Sequence, residues 1–474
     1  MKKLSPKRRS YLSVLCVVVL MCLSGCATYH QRNIKFHQEI ARGNFDGAIT
    51  YLEKNAGDSK GRNRLLYHME LGTALHLSGR YSESNEAFEK AYIILEEFGK
   101  NVAMEAVSFL TNPAVVPYAG EDFEKVQIHY YKALNFALMG NYNDALVECR
   151  RINVKLNILN DRYETGKKNH YKSDAFAWNF MGILYDSVKE YNNAFICYRN
   201  ALEAYHDQYA ADYGIYVPLQ LKIDILNSAW RTGLREELDF YRNQFSITWQ
   251  PPGNRSSSGT DLVVLWNNGL GPYKSEESIN FYLDRGDVGF VNFVNNDRNF
   301  FFPVPLGGTD TNSLKDLSFI RMALPQFQTR VPYYCSASIR TENGDAIPLE
   351  IAQDINSIAL LNLQDRMGRE LGKALLRLAI KQAIEHAVRK EDEALGLMVS
   401  IINAATERAD TRNWQTLPFS IHYARVHLPA GTSQLTLERH SQFGSTPAEN
   451  IRLDLQPGRT QFIAINDPYS VTIN

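Results

Sequence analysis

The sequence predicts an α+β multidomain protein: an all-α solenoid of helical hairpins, then an antiparallel β-rich domain with a helical insert. Three observations carry this expectation. A short turn of the form glycine, polar residue, aromatic recurs through the first half, flanked by apolar residues at helical spacing. At Pro251-Pro252-Gly253 and Ser256-Ser257-Ser258-Gly259 the chain changes to linker chemistry. Beyond that point short apolar runs alternate with turns rich in proline and glycine, the pattern of strands in a sandwich. With 474 residues the chain is too long for one hydrophobic core, so two or three domains are expected. The segments read as a signal peptide over 1–25, a short tether over 26–33, repeats over 34–248, a linker over 249–260, and a β-rich domain over 261–474 whose insert covers about 353–413.

At the start, Lys2, Lys3, Lys7, Arg8 and Arg9 precede an apolar run from Tyr11 to Leu23. This is the charge-then-apolar order of a secretory signal, and the run is too short for a comfortable membrane span. It ends in Leu23-Ser24-Gly25-Cys26, which resembles the lipobox of bacterial lipoproteins. The resemblance implies that the Cys26 thiol is lipidated, that cleavage precedes it, and that acyl chains anchor the protein. Ala27 follows in place of aspartate, which by the same resemblance implies sorting to the outer membrane, facing the periplasm, in a bacterium with two membranes. From Ala27 to Asn33 the chain reaches on the order of 25 Å, so the first helix is expected close to the lipid.

Losing the signal removes five of the 51 basic residues and none of the 52 acidic ones, leaving a formal charge of −6. That balance argues against nucleic acid as a partner and against a basic patch on anionic lipid. Of six cysteines, Cys16 and Cys22 leave with the signal and Cys26 is the lipid site. Cys149, Cys197 and Cys335 remain, odd in number and far apart, and read as small buried hydrophobes, not as a disulfide framework.

The repeats come next. In Ala175 to Tyr205, Trp178, Met181, Gly182 and Tyr185 share one helical face, and Tyr191, Ala194, Tyr198 and Ala201 share another after a polar turn. This stretch resembles a tetratricopeptide repeat. Partial copies lie upstream: Leu71, Gly72, Leu75, Tyr81, Phe88 and Ala91; Ala133, Phe136, Gly140, Tyr142 and Ala145; and Gly43, Phe45, Ala48 and Leu52 from a degenerate first unit. Phe45 to Tyr81 is 36 residues, near the roughly 34 of this class, whereas Tyr81 to Tyr142 is 61, so an insertion is expected within Gly99–Glu121. A further helical pair is expected over Tyr216–Phe245. Stacked hairpins of this kind bury a continuous core and curve into a solenoid. The resemblance implies a concave face, formed by the first helices, that binds peptides or proteins. Mapped that way, the partner-binding positions are Met69, Thr73, His76, Tyr130, Asn179, Ile183 and Asp186.

In the second half, Asp261–Trp266 reads as a buried strand, followed by strands at Val288–Val294, Leu317–Leu324 and Tyr333–Arg340. Glu342-Asn343-Gly344-Asp345 is a tight turn between extended runs. Leu371, Ala374, Leu375, Leu378, Ala379, Gln382 and Ala383 follow helical spacing, and a second helix is expected from about Glu391 to Arg408. This pair covers one face of the sheet in the favoured reading; an amphipathic helix on a membrane over 369–389 is the other. Strands resume at Phe419–Leu428, Gln434–Arg439, Ile451–Leu455, Gln461–Ile465 and Tyr469–Ile473, an antiparallel sandwich. Their turn-and-strand pattern resembles small envelope-protein sandwich modules. Lipobox, repeats and strands together resemble a family of bacterial repeat-bearing lipoproteins, a resemblance that implies location and architecture but no mechanism.

Catalytic motifs are sparse. Gly269-Leu270-Gly271-Pro272-Tyr273-Lys274-Ser275 lacks the glycine before lysine that a phosphate loop needs, and Pro272 removes a cradle N–H. His422, His427 and His440 fall on separate positions of predicted strands, and no metal or cofactor is assigned. Asp410, Arg412 and Trp414 mark the return from insert to sheet, where an ion pair would order the junction. The leading reading is a non-enzymatic envelope lipoprotein that binds or scaffolds another envelope protein or peptide through its repeats. The alternative is an enzyme or ligand-binding protein acting on envelope material through the β-rich domain.

Overall fold

The computed structural model describes residues 28–99, 116–161, 170–252, 259–285, 290–295, 300–305, 319–368, 371–372, 408–442 and 444–471. The signal, Cys26, most of the insertion in Gly99–Glu121, the stripe from Ala374 to Ala383 and the helix expected at Glu391–Arg408 lie outside the described residues.

The first half is a run of helical hairpins. A short helix α1 (Tyr29–Arg32) opens it inside the stretch read as tether, because Thr28 and Gln31 close a reciprocal capping box. The hairpins are α2 (Ile34–Ala41) with α3 (Phe45–Lys54), α4 (Arg64–Leu77) with α5 (Tyr81–Gly99), α6 (Asp122–Leu138) with α7 (Tyr142–Asn160), α8 (Ala175–Ser187) with α9 (Tyr191–Ala204), and α10 (Leu219–Thr232) with α11 (Arg235–Phe245). Each pair reverses at one left-handed residue: Gly43, Gly79, Gly140 and Gly233 at φ between 75° and 79°, and Lys189 at φ 67°. Glycine meets no Cβ penalty there, whereas Lys189 does. Within the pairs, Gly72 and Gly182 admit the rings of Phe88 and Tyr198, which would stand 2.7 and 2.5 Å from an added Cβ. Helix α9 continues through a π turn, Tyr205–Tyr209.

The second half is built on two packed sheets. Strands β1 (Gly259–Asn268), β9 (Glu350–Asp354), β10 (Ser420–Pro429) and β14 (Thr460–Asp467) form the first, in the order β14-β1-β10-β9. Strand β1 runs antiparallel to β10 and parallel to β14, one parallel pairing in a half whose sheets are otherwise antiparallel, as expected from sequence. The second sheet joins β7 (Tyr334–Arg340), β8 (Ala346–Pro348), β11 (Gly431–Ser441) and β12 (Gly444–Ser445), with β13 (Glu449–Leu455) on β11. A third has the order β4-β3-β2-β5, from β2 (Tyr273–Arg285), β3 (Phe290–Asn295), β4 (Phe300–Pro305) and β5 (Phe319–Gln328), and a short ribbon pairs β6 (Val331–Pro332) with β15 (Ser470–Val471). Strands β2, β4, β9 and β12 are not among those expected from sequence; β2, with YKSEESINFYLDR, has no clean alternation to betray it.

Strand β1 is buried on both faces, and the two faces serve different cores. Leu262, Val264 and Trp266 point with Ala424, Val426 and Leu428 into the sandwich, against Ala337, Ile339, Leu435 and Leu437. Val263 and Leu265 point the other way, with Ile421, Tyr423 and Phe462, into a core continuous with the repeat helices. The helix at 355–368 adds Ile355, Ile358, Ala359 and Leu363 to that same core. Helices, first sheet and second sheet are therefore three layers, and the two halves of the sequence share one hydrophobic interior.

Candidate functional site: the concave face

The first helices α4, α6 and α8 carry the inner face of the solenoid, and few of their side chains reach solvent. One side packs on α5, α7 and α9; the other is covered by the first sheet and by a strap, 411–418, every residue of which is buried. Trp414 anchors the strap. Its ring lies 5.6 Å from those of Phe88 and Tyr131, and its Nε1 donates to Thr73 Oγ1 at 3.0 Å. The strap backbone is held by two carboxylates: Trp414 N donates to Glu124 Oε1 at 2.6 Å, and Gln415 N donates to Glu70 Oε1 at 3.0 Å. The Thr416 hydroxyl donates to the other oxygen of Glu70. Where the strap begins, Arg412 pairs with Asp410 at 2.7 Å and donates to Val116 O at 2.9 Å, the junction ion pair expected from sequence.

Burial sets the electrostatics here. It pushes the Glu70 carboxyl up to about 7, against the donors Thr416 and Gln415. Burial and the neighbouring Glu121 raise Glu124 to about 7. Glu121 goes the other way: burial alone would raise it, but Arg366 and Lys274 hold it below the usual carboxylate range. Burial lowers Arg330 to about 10; its Nε donates to Gly271 O at 2.6 Å.

A second charged cluster joins the fourth and fifth hairpins to the sheet. Arg425 of β10 reaches Asp186 on α8, Asp224 on α10 at 3.2 Å and Asp261 on β1 at 3.0 Å. Arg231 also holds Asp186, at 2.6 Å, and His427 holds Asp261, at 2.8 Å. Further along, Glu350 of β9 accepts from Leu219 N and Gln220 N at 3.0 and 3.1 Å, satisfying free donors at the start of α10. Tyr205 and Tyr209 donate to Ala352 O and Gln353 Oε1 at 2.8 and 3.0 Å.

All seven positions mapped as partner-binding are inside the molecule. Met69 and Ile183 are core residues, Thr73 receives Trp414, and His76 pairs with Asn135 Oδ1 at 2.6 Å. Tyr130 packs edge-on to Phe180, Asn179 is buried beside Tyr423, and Asp186 holds Arg425. The expectation of an open groove is corrected: the face exists where the first helices put it, and the chain's own second half fills it. Trp414, read from sequence as a junction residue, is the anchor of the strap. The side chains missed from sequence are Glu70, Glu124 and Arg425. A signal for them was present, since a carboxylate in LLYHMELGTALHL and an arginine in IHYARVHL each demand a buried partner.

The histidines of the last strands do not converge. The His422 ring lies 4.7 Å from that of Trp266, tilted by 46°, and hydrogen-bonds Ser420 Oγ, and burial drives it down to about 4, while His427 serves Asp261. Among the described residues no group of three or more His, Cys, Asp or Glu is placed to hold a metal. Cys149 and Cys197 are buried thiols and Cys335 is exposed. A cleft of about 550 Å³ lies on the repeat half, between Trp178, Asn200, Glu203, Asp207 and Lys172. No helix among the described residues is long and apolar enough to cross a membrane.

No family model and no curated protein matches this chain. Similar solved structures include MamA (41-end) from Desulfovibrio magneticus RS-1, at 15% identity over 45% of this chain and 89% of that one, TM-score 0.29. A putative kinesin light chain with nearly identical TPR-like repeats from Podosopora anserina is 14% identical over 45% and 93%, TM-score 0.30. The apo form of RapI is 14% identical over 50% and 58%, TM-score 0.33. At such values no activity or partner transfers to this chain.

Proposed function

We propose that this protein is a non-enzymatic scaffold of a bacterial envelope, anchored by lipid on Cys26 at the periplasmic face of the outer membrane, whose repeat half binds other envelope polypeptides on its outward surface. The observation that carries this reading is the division of the repeat helices. Their inner face is filled by the chain itself, while the outer helices leave large apolar side chains in solvent, among them Ile196 at 40% and Phe240 at 60% exposure. Helix α1 starts at Tyr29, so Ala27 and Thr28 alone separate it from Cys26, roughly 7 Å when extended. The repeats would stand against the lipid surface.

A photo-crosslinking residue at Ile196 or Phe240 in intact cells tests the reading. It should capture the same polypeptide from both outer positions and nothing from the buried Asn179; equal yields from all three, or none from the outer pair, would overturn it. Cys26→Ser should abolish incorporation of labelled palmitate and release the protein from the membrane fraction. Unchanged labelling would refute the anchor alone.

A further inference from the structure

The first sheet stops at β14, and the parallel pairing with β1 sets which way the β14 backbone points. Asp261 N donates to Arg459 O at 3.1 Å and Gly269 N donates to Asp467 O at 2.8 Å. The odd-numbered residues between them therefore turn their N–H and C=O groups toward β1. Phe462, Ala464 and Asn466 turn theirs away, and among the described residues no strand or loop backbone pairs with them. This free edge is bounded at both ends. The Thr460 carbonyl accepts from the Tyr142 hydroxyl, and Pro468, just past the strand, has no N–H.

A row of unpaired backbone groups is a template for another strand unless it is short, charged, bulged or interrupted by proline. The other edge strands of the three sheets are guarded in these ways. Strand β9 is five residues long, carries Glu350 and Asp354, and its register with β10 shifts at Ile421. Strand β13 carries Arg452 and Asp454, and β12 is two residues long. Prolines interrupt β4, β5 and β8. Strand β14 has no such device: from Gln461 to Asn466 it holds neither charge nor proline, and its register with β1 is unbroken from Asp261 to Asn268.

We propose that this edge docks β14 of a second copy of the chain, the two strands pairing antiparallel about a two-fold axis at Ala464. The bounds of the edge favour a copy over a foreign strand, because Ala464 lies midway between Thr460 and Pro468. A two-fold there sets Ala464 against Ala464 of the other copy and Phe462 against its Asn466, each pair exchanging both backbone bonds. It also sets Thr460 against Pro468 of the other copy. The one position without a donor thus meets the one carbonyl that Tyr142 already satisfies. On the sandwich face Ile463 and Ile465, half-buried in the single chain, stand opposite each other across the seam in the closely spaced pairs of an antiparallel ladder. Asp467 meets Gln461, so no like charges face each other. The edge involves neither Ile196 nor Phe240, and the proposal stands whether or not a further polypeptide binds there.

Sedimentation velocity on the full chain in a non-ionic detergent, with reductant to keep Cys335 from crosslinking, tests this. The wild type should sediment as a dimer at micromolar concentration, and Ala464→Pro should raise the dissociation constant at least tenfold. The N–H that this variant loses is unused in the single chain, and proline is tolerated on an edge strand at such a position. Its circular dichroism should therefore match the wild type. Hydrogen exchange reads the seam without any substitution. At concentrations that favour the dimer the amides of Phe462, Ala464 and Asn466 should be protected; on dilution they should exchange at least tenfold faster, while those of Ile463 and Ile465 stay slow. A wild type that stays monomeric at tens of micromolar would overturn the inference and leave the edge to a foreign strand. A folded Ala464→Pro variant as dimeric as wild type, or exchange at the three amides that ignores concentration, would overturn it as well.

Discussion

The first and second helices of the hairpins share turns, lengths and packing, yet meet opposite surroundings. In α6 the buried residues include Glu124, Gln127, His129, Lys132 and Asn135, polar groups on every side of the helix. In α7, one turn later, burial returns to a stripe of Ala145, Leu146, Cys149, Ile152, Leu156 and Leu159 with exposed residues between. The difference is the cover. The second helices bury an apolar stripe toward the hairpin and turn the rest of their surface to water. The first helices are polar on a side that never sees water: Glu124 is held by the strap, whereas His129, Lys132 and Asn135 find their partners on neighbouring repeat helices, in Glu148, Glu89 and Ser84 with Asn85. A polar inner face in a repeat is thus compatible with a closed interior as much as with an open groove.

Removing the cover's anchor should have the largest effect. Trp414→Ala deletes a fully buried indole between Phe88, Tyr131 and Thr73 and is expected to cost about 3–5 kcal/mol in urea unfolding, in a single transition reporting both halves. Two separated transitions would show that the shared core does not couple the layers.

Glu70→Gln addresses the clamp on the strap. Burial raises Glu70 in the folded state to about 7 from an ordinary 4.5, so its contribution to stability is present below pH 4.5 and is lost as pH rises through 7. The amide keeps an acceptor for Gln415 N but does not titrate. The stability of Glu70→Gln relative to wild type should therefore rise on the order of 2 kcal/mol between pH 5 and 8. A pH-independent difference would mean that the strap's donors keep the carboxylate ionised throughout.

Two smaller effects lie within the hairpins and should be indifferent to the cover. Gly182→Ala forces a methyl into the Tyr198 ring and is expected to destabilise by about 1–2 kcal/mol, by the same amount in a Trp414→Ala background. Lys189→Gly relieves the one non-glycine left-handed hairpin turn and should stabilise by about 1 kcal/mol. A loss of stability instead would show that the Lys189 side chain has a role at the turn.

The helical half was largely legible because its signals are local. Gly43, Gly79, Gly140 and Lys189 mark the hairpin turns, and Gly72 and Gly182 mark the close contacts. Most strands after Leu417 were legible for the same reason, being set off by Pro429-Ala430-Gly431 and Pro457-Gly458. What covers the concave face was not legible. Trp414 meets Thr73 across 341 residues of chain, and Arg425 meets Asp186 across 239. Nothing in the spacing of either partner encodes that meeting. Parallel pairing of β1 with β14 escaped for the same reason, since it joins strands from opposite ends of the β half.

Hydrogen exchange of the strap tests most directly whether the second half closes the concave face. Mass spectrometry of native full-length protein should find the amides of residues 411–417 as slowly exchanging as those of α6, both opening only with global unfolding. Exchange of the strap within seconds, while α6 stays protected, would contradict the closed interior and return the concave face to solvent.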